Sequence, residues 1–258
     1  MSRRVTGAAA HPSEPAVQKL RLRYAKRGPL RFASHRDVAR AFERALRAAG
    51  VPMAYSQGFS PHPKVSWVGA APTGAASEAE FAEIQLVRHL DPQLVRRELD
   101  SALPEGLDVL EAVQAYGGSL ADRIDASRWR IELPGVGGDE LSHAVEELMA
   151  RDHVPVQRLG KDGRRTIDAR AALFSLRVEE STPSCGILTA VVRQVTPAVR
   201  PDDVLSALFV VAGLELPVPA RANRVAQGRL DDDGELVDPL SPDRAAARAA
   251  GGSAGQGA

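Results

Sequence analysis

The chain contains one cysteine, Cys185, so its own thiolates cannot build an internal disulfide, a CxxC zinc knuckle or an iron–sulfur cluster. Aromatic residues are scarce, at 4% of 258 residues. No apolar run approaches the roughly 18 to 20 residues that cross a bilayer, and Met1-Ser-Arg-Arg-Val-Thr-Gly7 lacks the apolar stretch of a signal peptide. A cytoplasmic protein with no membrane partner is therefore expected. Neither charge sign is in excess, with 33 Lys+Arg against 33 Asp+Glu. What remains, 44% hydrophobic and 26% charged residues, is the composition of a folded globular chain long enough for one large or two small domains.

The zero net charge conceals an uneven distribution. Between Gln18 and Lys64 eleven cations face only Asp37 and Glu43, whereas between Val65 and Tyr116 three arginines face nine carboxylates. Seven of the eleven aromatic residues, Tyr24, Phe32, Phe42, Tyr55, Phe59, Trp67 and Phe81, lie in the amino-terminal third. The better core and the working surface are both expected there.

Residues 1–17 and 231–258 are aperiodic or Ala/Gly-rich and read as disordered tails. Between them, Lys19 to Tyr24 alternates Leu20, Leu22 and Tyr24 with Lys19, Arg21 and Arg23, a strand with one buried and one basic face. Leu30 to Ala33 reads as extended after the bend at Gly28-Pro29. Ser34-His-Arg-Asp37 has the form of a capping box, and the helix that follows puts Val38, Phe42, Ala45 and Leu46 on one stripe with Arg36, Arg40, Arg44 and Arg47 opposite. Ser56 to Lys64 is a loop stiffened by Pro61 and Pro63. Strands near 65–69, 80–87 and 107–113 and a helix over 92–103 complete a β-α-β-β-α-β order over residues 18–117. A second such order is expected over 126–230, after the Gly117-Gly118 break. The expected fold is α+β, two tandem ferredoxin-like (βαββαβ) units between disordered tails.

The blocks Phe32-Ala-Ser-His-Arg-Asp-Val38, Arg44-Ala-Leu-Arg-Ala-Ala-Gly-Val-Pro52, Gly58-Phe-Ser-Pro-His-Pro-Lys64 and Ser77-Glu-Ala-Glu-Phe81 resemble the radical-SAM-linked domain of unknown function, over roughly residues 18–230. In that family the domain is fused behind a cobalamin-binding radical SAM protein or stands alone, as in actinobacteria. The resemblance implies the stand-alone form, because a radical SAM cluster needs a Cys triplet. It therefore implies a radical SAM enzyme, in the cobalamin-binding form, as a partner on a separate chain. More distantly, the order of helix-start His and tandem units is similar to RAMP-type endoribonucleases, whose Gly-rich loop is matched only by Val211-Ala-Gly-Leu214 and Ala226-Gln-Gly-Arg229.

Two histidines are candidates for chemistry. His35 opens a helix, where the dipole favours the neutral ring, a base or acceptor; packing beside the Ser34 cap is the plainer reading. His62, held between two prolines, suits rigid display, or serves only to fix the loop. Tyr55 and Phe59 are candidates for stacking on a base, and Arg36, Arg40, Arg44, Arg47 and Lys64 for contacting phosphates, against the alternative of a solvated helix face. No HxH or HExxH spacing points to a metal, no phosphate-binding or dinucleotide fingerprint points to a nucleotide, and no cofactor is expected in this chain. Cys185 reads as an incidental thiol. Three functions remain open: an accessory module that binds RNA or a partner radical SAM enzyme through its basic surface, a metal-independent ribonuclease using His35 or His62, and a structural scaffold.

Overall fold

The computed structural model describes residues 14–57, 59–160, 163–179 and 182–253. It is an α+β protein built on one large mixed sheet. The first half contributes β1 (Gln18–Lys26), α1 (His35–Ala48), β2 (Val65–Val68), β3 (Ala76–Leu86), α2 (Pro92–Ala102) and β4 (Leu107–Gln114). Its strands lie in the order β4-β1-β3-β2, each pair antiparallel. The second half contributes β5 (Ala126–Pro134), α3 (Gly138–Met149), the hairpin β6 (Pro155–Gly160) and β7 (Gly163–Asp168), the single turn α4 (Ala169–Ala172), β8 (Leu173–Val178), β9 (Cys185–Arg193), α5 (Pro201–Ala212) and β10 (Arg221–Leu230). Its main strands run β10-β5-β9-β8, again antiparallel, while β6 and β7 form a separate two-stranded sheet.

The halves share one sheet because β3 and β10 pair in parallel at Ala76↔Asn223 and Ser77↔Arg224. Each half has its own core on the face that its helices cover. In the first, Leu20, Leu22 and Tyr24 of β1 meet Val38, Phe42 and Leu46 of α1 and Leu99 of α2. In the second, Trp129, Ile131 and Leu133 of β5 meet Leu141 and Leu148 of α3 and Val204 and Leu208 of α5, with Val156 and Ile167 of the hairpin packed in. The alternation of period 2 in β1 and β5 and the apolar stripes of the helices are what create these two faces.

The structure departs from the expectations in several places, among them the separate β6–β7 hairpin inserted in the second half. Gly28–Phe32 is a 3-10 turn, not an extended segment, since Gly28 takes φ +52° and Pro29 sets the turn's first position. β3 begins at Ala76, earlier than the periodicity of 80–87 indicates, because its first residues pair with β10. The tail expected over 231–258 is ordered through Ser253: Leu236–Val237 forms β11 on the edge of β10, and Ser241–Ser253 forms α6. Leu240 and Asp243 are wholly buried, which gives this Ala-rich segment anchors that composition does not register. Gly228 lets β11 come close, since a Cβ there would collide with the Val237 carbonyl. Residues 1–13 and 254–258 of the two expected tails lie outside the described residues. Among the described residues, no helix is long and apolar enough to cross a membrane.

Candidate functional site

The start of α1 is fixed locally. Ser34 Oγ accepts from the Asp37 N–H at 3.3 Å, and the Asp37 carboxylate accepts from the Ser34 N–H at 3.2 Å and its hydroxyl at 2.6 Å. These bonds from Ser34 hold the Asp37 carboxyl below its usual range. With Val38, Ala41, Phe42, Ala45 and Leu46 buried, helical spacing turns Arg36, Arg40, Arg44 and Arg47 outward, and all four are exposed. Arg47 reaches Glu43 at 4.0 Å. Among the described residues Arg36, Arg40 and Arg44 form no ion pair.

The loop after α1 is held by its backbone and presents its side chains. Tyr55 bridges to Pro63, Ser56 N–H donates to His62 O at 2.8 Å, and His62 N–H donates to Ser56 Oγ at 3.0 Å. Lys64 N–H donates to Ala54 O at 2.8 Å, tying the loop's exit to the sheet. His62 is exposed, Phe59 wholly so, Lys64 is half-buried, and Tyr55 packs half-buried against the first core. Gly58 of this block lies outside the described residues. His35 is exposed at the head of α1 with its ring edge-on to Trp67 at 5.6 Å, part of an aromatic group with Tyr24 and Phe42. The imidazoles of His35 and His62 share no hydrogen bond or ring contact among the described residues, so the structure does not join them in one acid–base pair.

The basic face expected of β1 is a correction. Arg21 is fully buried beneath α6: its Nη1 donates to both Asp243 oxygens at 2.8 and 2.9 Å and its Nε to Glu83 at 3.0 Å. Asp243 also accepts from Arg123 and from the Tyr116 N–H, each at 2.8 Å. Lys19 pairs with Glu83 at 3.8 Å, Arg23 with Glu111 at 3.9 Å, and Arg27 with Glu78 and Asp108. The acidic stretch that follows the basic one thus neutralises the strand, as opposite charges must when one of them leaves water. Within the basic stretch of residues 18–64, the exposed cations that form no ion pair among the described residues include Arg36, Arg40 and Arg44 of α1.

A second cluster lies at the seam of the halves. Arg224 on β10 is buried, donates to Ser77 Oγ at 3.3 Å, pairs with Glu80 and lies 5.5 Å over the Trp129 ring. Glu80 also accepts from the Ala71 N–H at 3.1 Å, and Lys26 Nζ reaches the Ala71 and Pro72 carbonyls at 3.3 Å. Burial holds the Tyr24 phenol well above its ordinary value, with the Glu80 charge adding to it, and burial lowers the Lys26 ammonium. Two hollows flank the 69–76 segment: a 530 Å³ cleft with Arg31, Phe32, Arg130 and Arg221 in its walls, and a 350 Å³ pocket over Arg224. The sequence reading missed this cluster. Glu80 and Arg224 stand 144 positions apart, and only the β3–β10 pairing brings them together.

Among the described residues no group of three or more His, Cys, Asp or Glu is placed to hold a metal ion. The class of protein that the fold and these surfaces define is an α+β chain with a shared sheet and cationic surfaces. Residues 19–201 match the model of a family described as an uncharacterized protein conserved in bacteria (DUF2344), and the chain belongs to that family. No curated protein matches it. Among solved structures it is similar to a Cbf5-Nop10-Gar1 complex, at 13% identity and TM-score 0.44, over 88% of this chain and 54% of that one. It is also similar to the archaeal box H/ACA sRNP Nop10-Cbf5 complex, at 12% identity and TM-score 0.40, over 87% of this chain and 52% of that one. The chain thus spans about half the length of each. A third similar structure, an unknown protein from Galdieria sulphuraria, shows 17% identity and TM-score 0.23, over 81% of this chain and 99% of that one.

Proposed function

We propose that the chain is a non-catalytic accessory protein of two tandem ferredoxin-like units that binds RNA through the outer face of α1 and the Pro-His-Pro loop. The strand order 4-1-3-2 repeated in each half supports the two-unit reading. The observation that carries the binding reading is the fate of the cations: those of β1 are paired with carboxylates, while Arg36, Arg40 and Arg44 stand exposed along one helix face and form no ion pair among the described residues. Unpaired cations in a row suit a chain of phosphates, which they contact by displacing condensed counterions. Phe59, fully exposed beside His62, offers a ring on which a base can stack. The resemblance to the radical-SAM-linked family supplies the other partner, a radical SAM enzyme of the cobalamin-binding kind on a separate chain; this protein would present RNA to it.

The test is titration of a fluorescent mixed-sequence single-stranded oligoribonucleotide at several salt concentrations, with the native chain and with R40E/R44E/K64E. Each phosphate contact contributes about 0.7 to the salt slope for a single strand, so losing three contacts lowers the slope by roughly 2. An unchanged affinity and slope in the variant would overturn the proposal.

A further inference from the structure

We propose that the 350 Å³ pocket at the seam of the two halves binds a small phosphorylated molecule of mononucleotide size, at a site separate from the α1 face. The first reason is charge. Around one buried carboxylate, Glu80, lie two buried cations: Arg224, which lines the pocket, and Lys26, whose Nζ is bonded to the carbonyl of Pro72 in the pocket's wall; one positive charge is thus in excess away from water. Among the described residues the Lys26 ammonium donates to two carbonyl oxygens and forms no ion pair. An uncompensated buried charge is costly, and a bound anion is the direct way to offset it.

The second reason is the pocket wall. Arg224 lines it, with a side chain only 5% exposed; its Nε is bonded to Ser77 and its Nη2 to Glu80, while its Nη1 has no hydrogen-bond partner among the described residues. Arg193 and Arg200, both exposed, stand at the rim, and Ser127 and Gln227 add polar groups. No carboxylate side chain is part of the lining. A guanidinium fork anchored on one edge and open on the other matches a phosphoryl group.

The third reason is size and surface. The volume lies within the range of small-ligand sites and exceeds what a lone phosphate fills. Trp129, with Val192 and Val199, gives the pocket an apolar side, which suits the planar part of such a ligand. The phosphoryl group has two possible sources, a free mononucleotide or the phosphorylated end of an RNA strand, and the experiment separates them.

Calorimetric titration of the full chain with adenosine monophosphate, adenosine, inorganic phosphate, and a short oligoribonucleotide bearing either a 5′-phosphate or a 5′-hydroxyl provides the test. Because Arg224→Gln would strip Glu80 of its partner and unfold the seam, the variant used is R193Q/R200Q, which alters two exposed rim residues, Arg193 stacked over the Phe174 ring and Arg200 at the N-cap of α5, and leaves the Arg224–Glu80 pair in place; its unfolding is followed in parallel to show that the fold is kept. Adenosine monophosphate is expected to bind more tightly than adenosine or phosphate. R193Q/R200Q should weaken it at least about tenfold, roughly 1.4 kcal/mol, and R40E/R44E/K64E should leave it unchanged. A preference for the 5′-phosphorylated strand over the 5′-hydroxyl one that R193Q/R200Q removes would assign the source to an RNA end. Absence of binding by adenosine monophosphate at millimolar concentration, or binding that R193Q/R200Q leaves intact, would overturn the proposal. Loss of adenosine monophosphate binding in R40E/R44E/K64E would place the ligand on α1 instead and would overturn it equally.

Discussion

Arg21 and Arg40 belong to the same basic stretch, nineteen positions apart, and end in opposite surroundings. Arg21 lies under α6 with no exposure, gripped by Asp243 from the far end of the chain, while Arg40 stands on α1 in solvent. The strand face looks outward by its period-2 pattern, as the helix face does by its period of 3.6, but only the strand face acquires a covering element. A basic face is therefore a surface only when nothing later in the chain closes over it. Here α6 does so for β1, and no element among the described residues does so for Arg36, Arg40 and Arg44.

The largest effect should come from breaking the covered side. Asp243→Ala leaves the buried Arg21 with Glu83 as its one carboxylate and takes from Arg123 its ion pair, so one positive charge stands in excess, and it should cost about 3–5 kcal/mol in chemical denaturation. Pairing Arg21→Met with Asp243→Leu should restore most of that loss, since the cost lies in the orphaned charge. A loss under about 1 kcal/mol in Asp243→Ala would mean that α6 is not held by this pair.

The exposed side depends on contacts three residues apart, and its losses should be smaller. Ser34→Ala removes the cap of α1 and should cost about 1 kcal/mol. The same contact sets a pH signature. The Asp37 carboxyl, lowered by its bonds from Ser34, contributes stability that is present above the unfolded carboxyl range and is lost as the pH falls through its depressed value. Thermal unfolding of native and Ser34→Ala proteins across the acid range should show this component reduced in the second, which loses the hydroxyl bond and keeps the backbone N–H bond and the Arg40 charge. Smallest of all, R40E/R44E/K64E should shift stability by no more than about 0.5 kcal/mol while weakening RNA binding. A large stability loss there would show that the helix face serves folding and would erase the contrast with β1.

Some of this was legible before any coordinates. Ser34 and Asp37 announced the start of α1, because capping depends on residues a few positions apart. Leu20, Leu22 and Tyr24 declared the inner face of β1. Arg21 was misread because its alternation matches that of a solvated residue, and the group that buries it lies 222 positions away. The seam site was missed for the same reason. Arg224 sits in Ala222-Asn-Arg-Val-Ala226, which carries no motif, and becomes notable only beside Glu80, Trp129 and Lys26.

By itself the sequence determined the chain's local elements, the apolar faces of its strands and helices, and an excess of cations near its amino end, all of which follow from side-chain periodicity and short-range hydrogen bonding. Only the tertiary structure decided which cations meet water: the closing of α6 over β1 and the edge-to-edge joining of β3 with β10. Those two events depend on contacts between distant residues, which no local pattern encodes, and through them the molecule keeps the arginines of α1 outside and gathers Arg224 within.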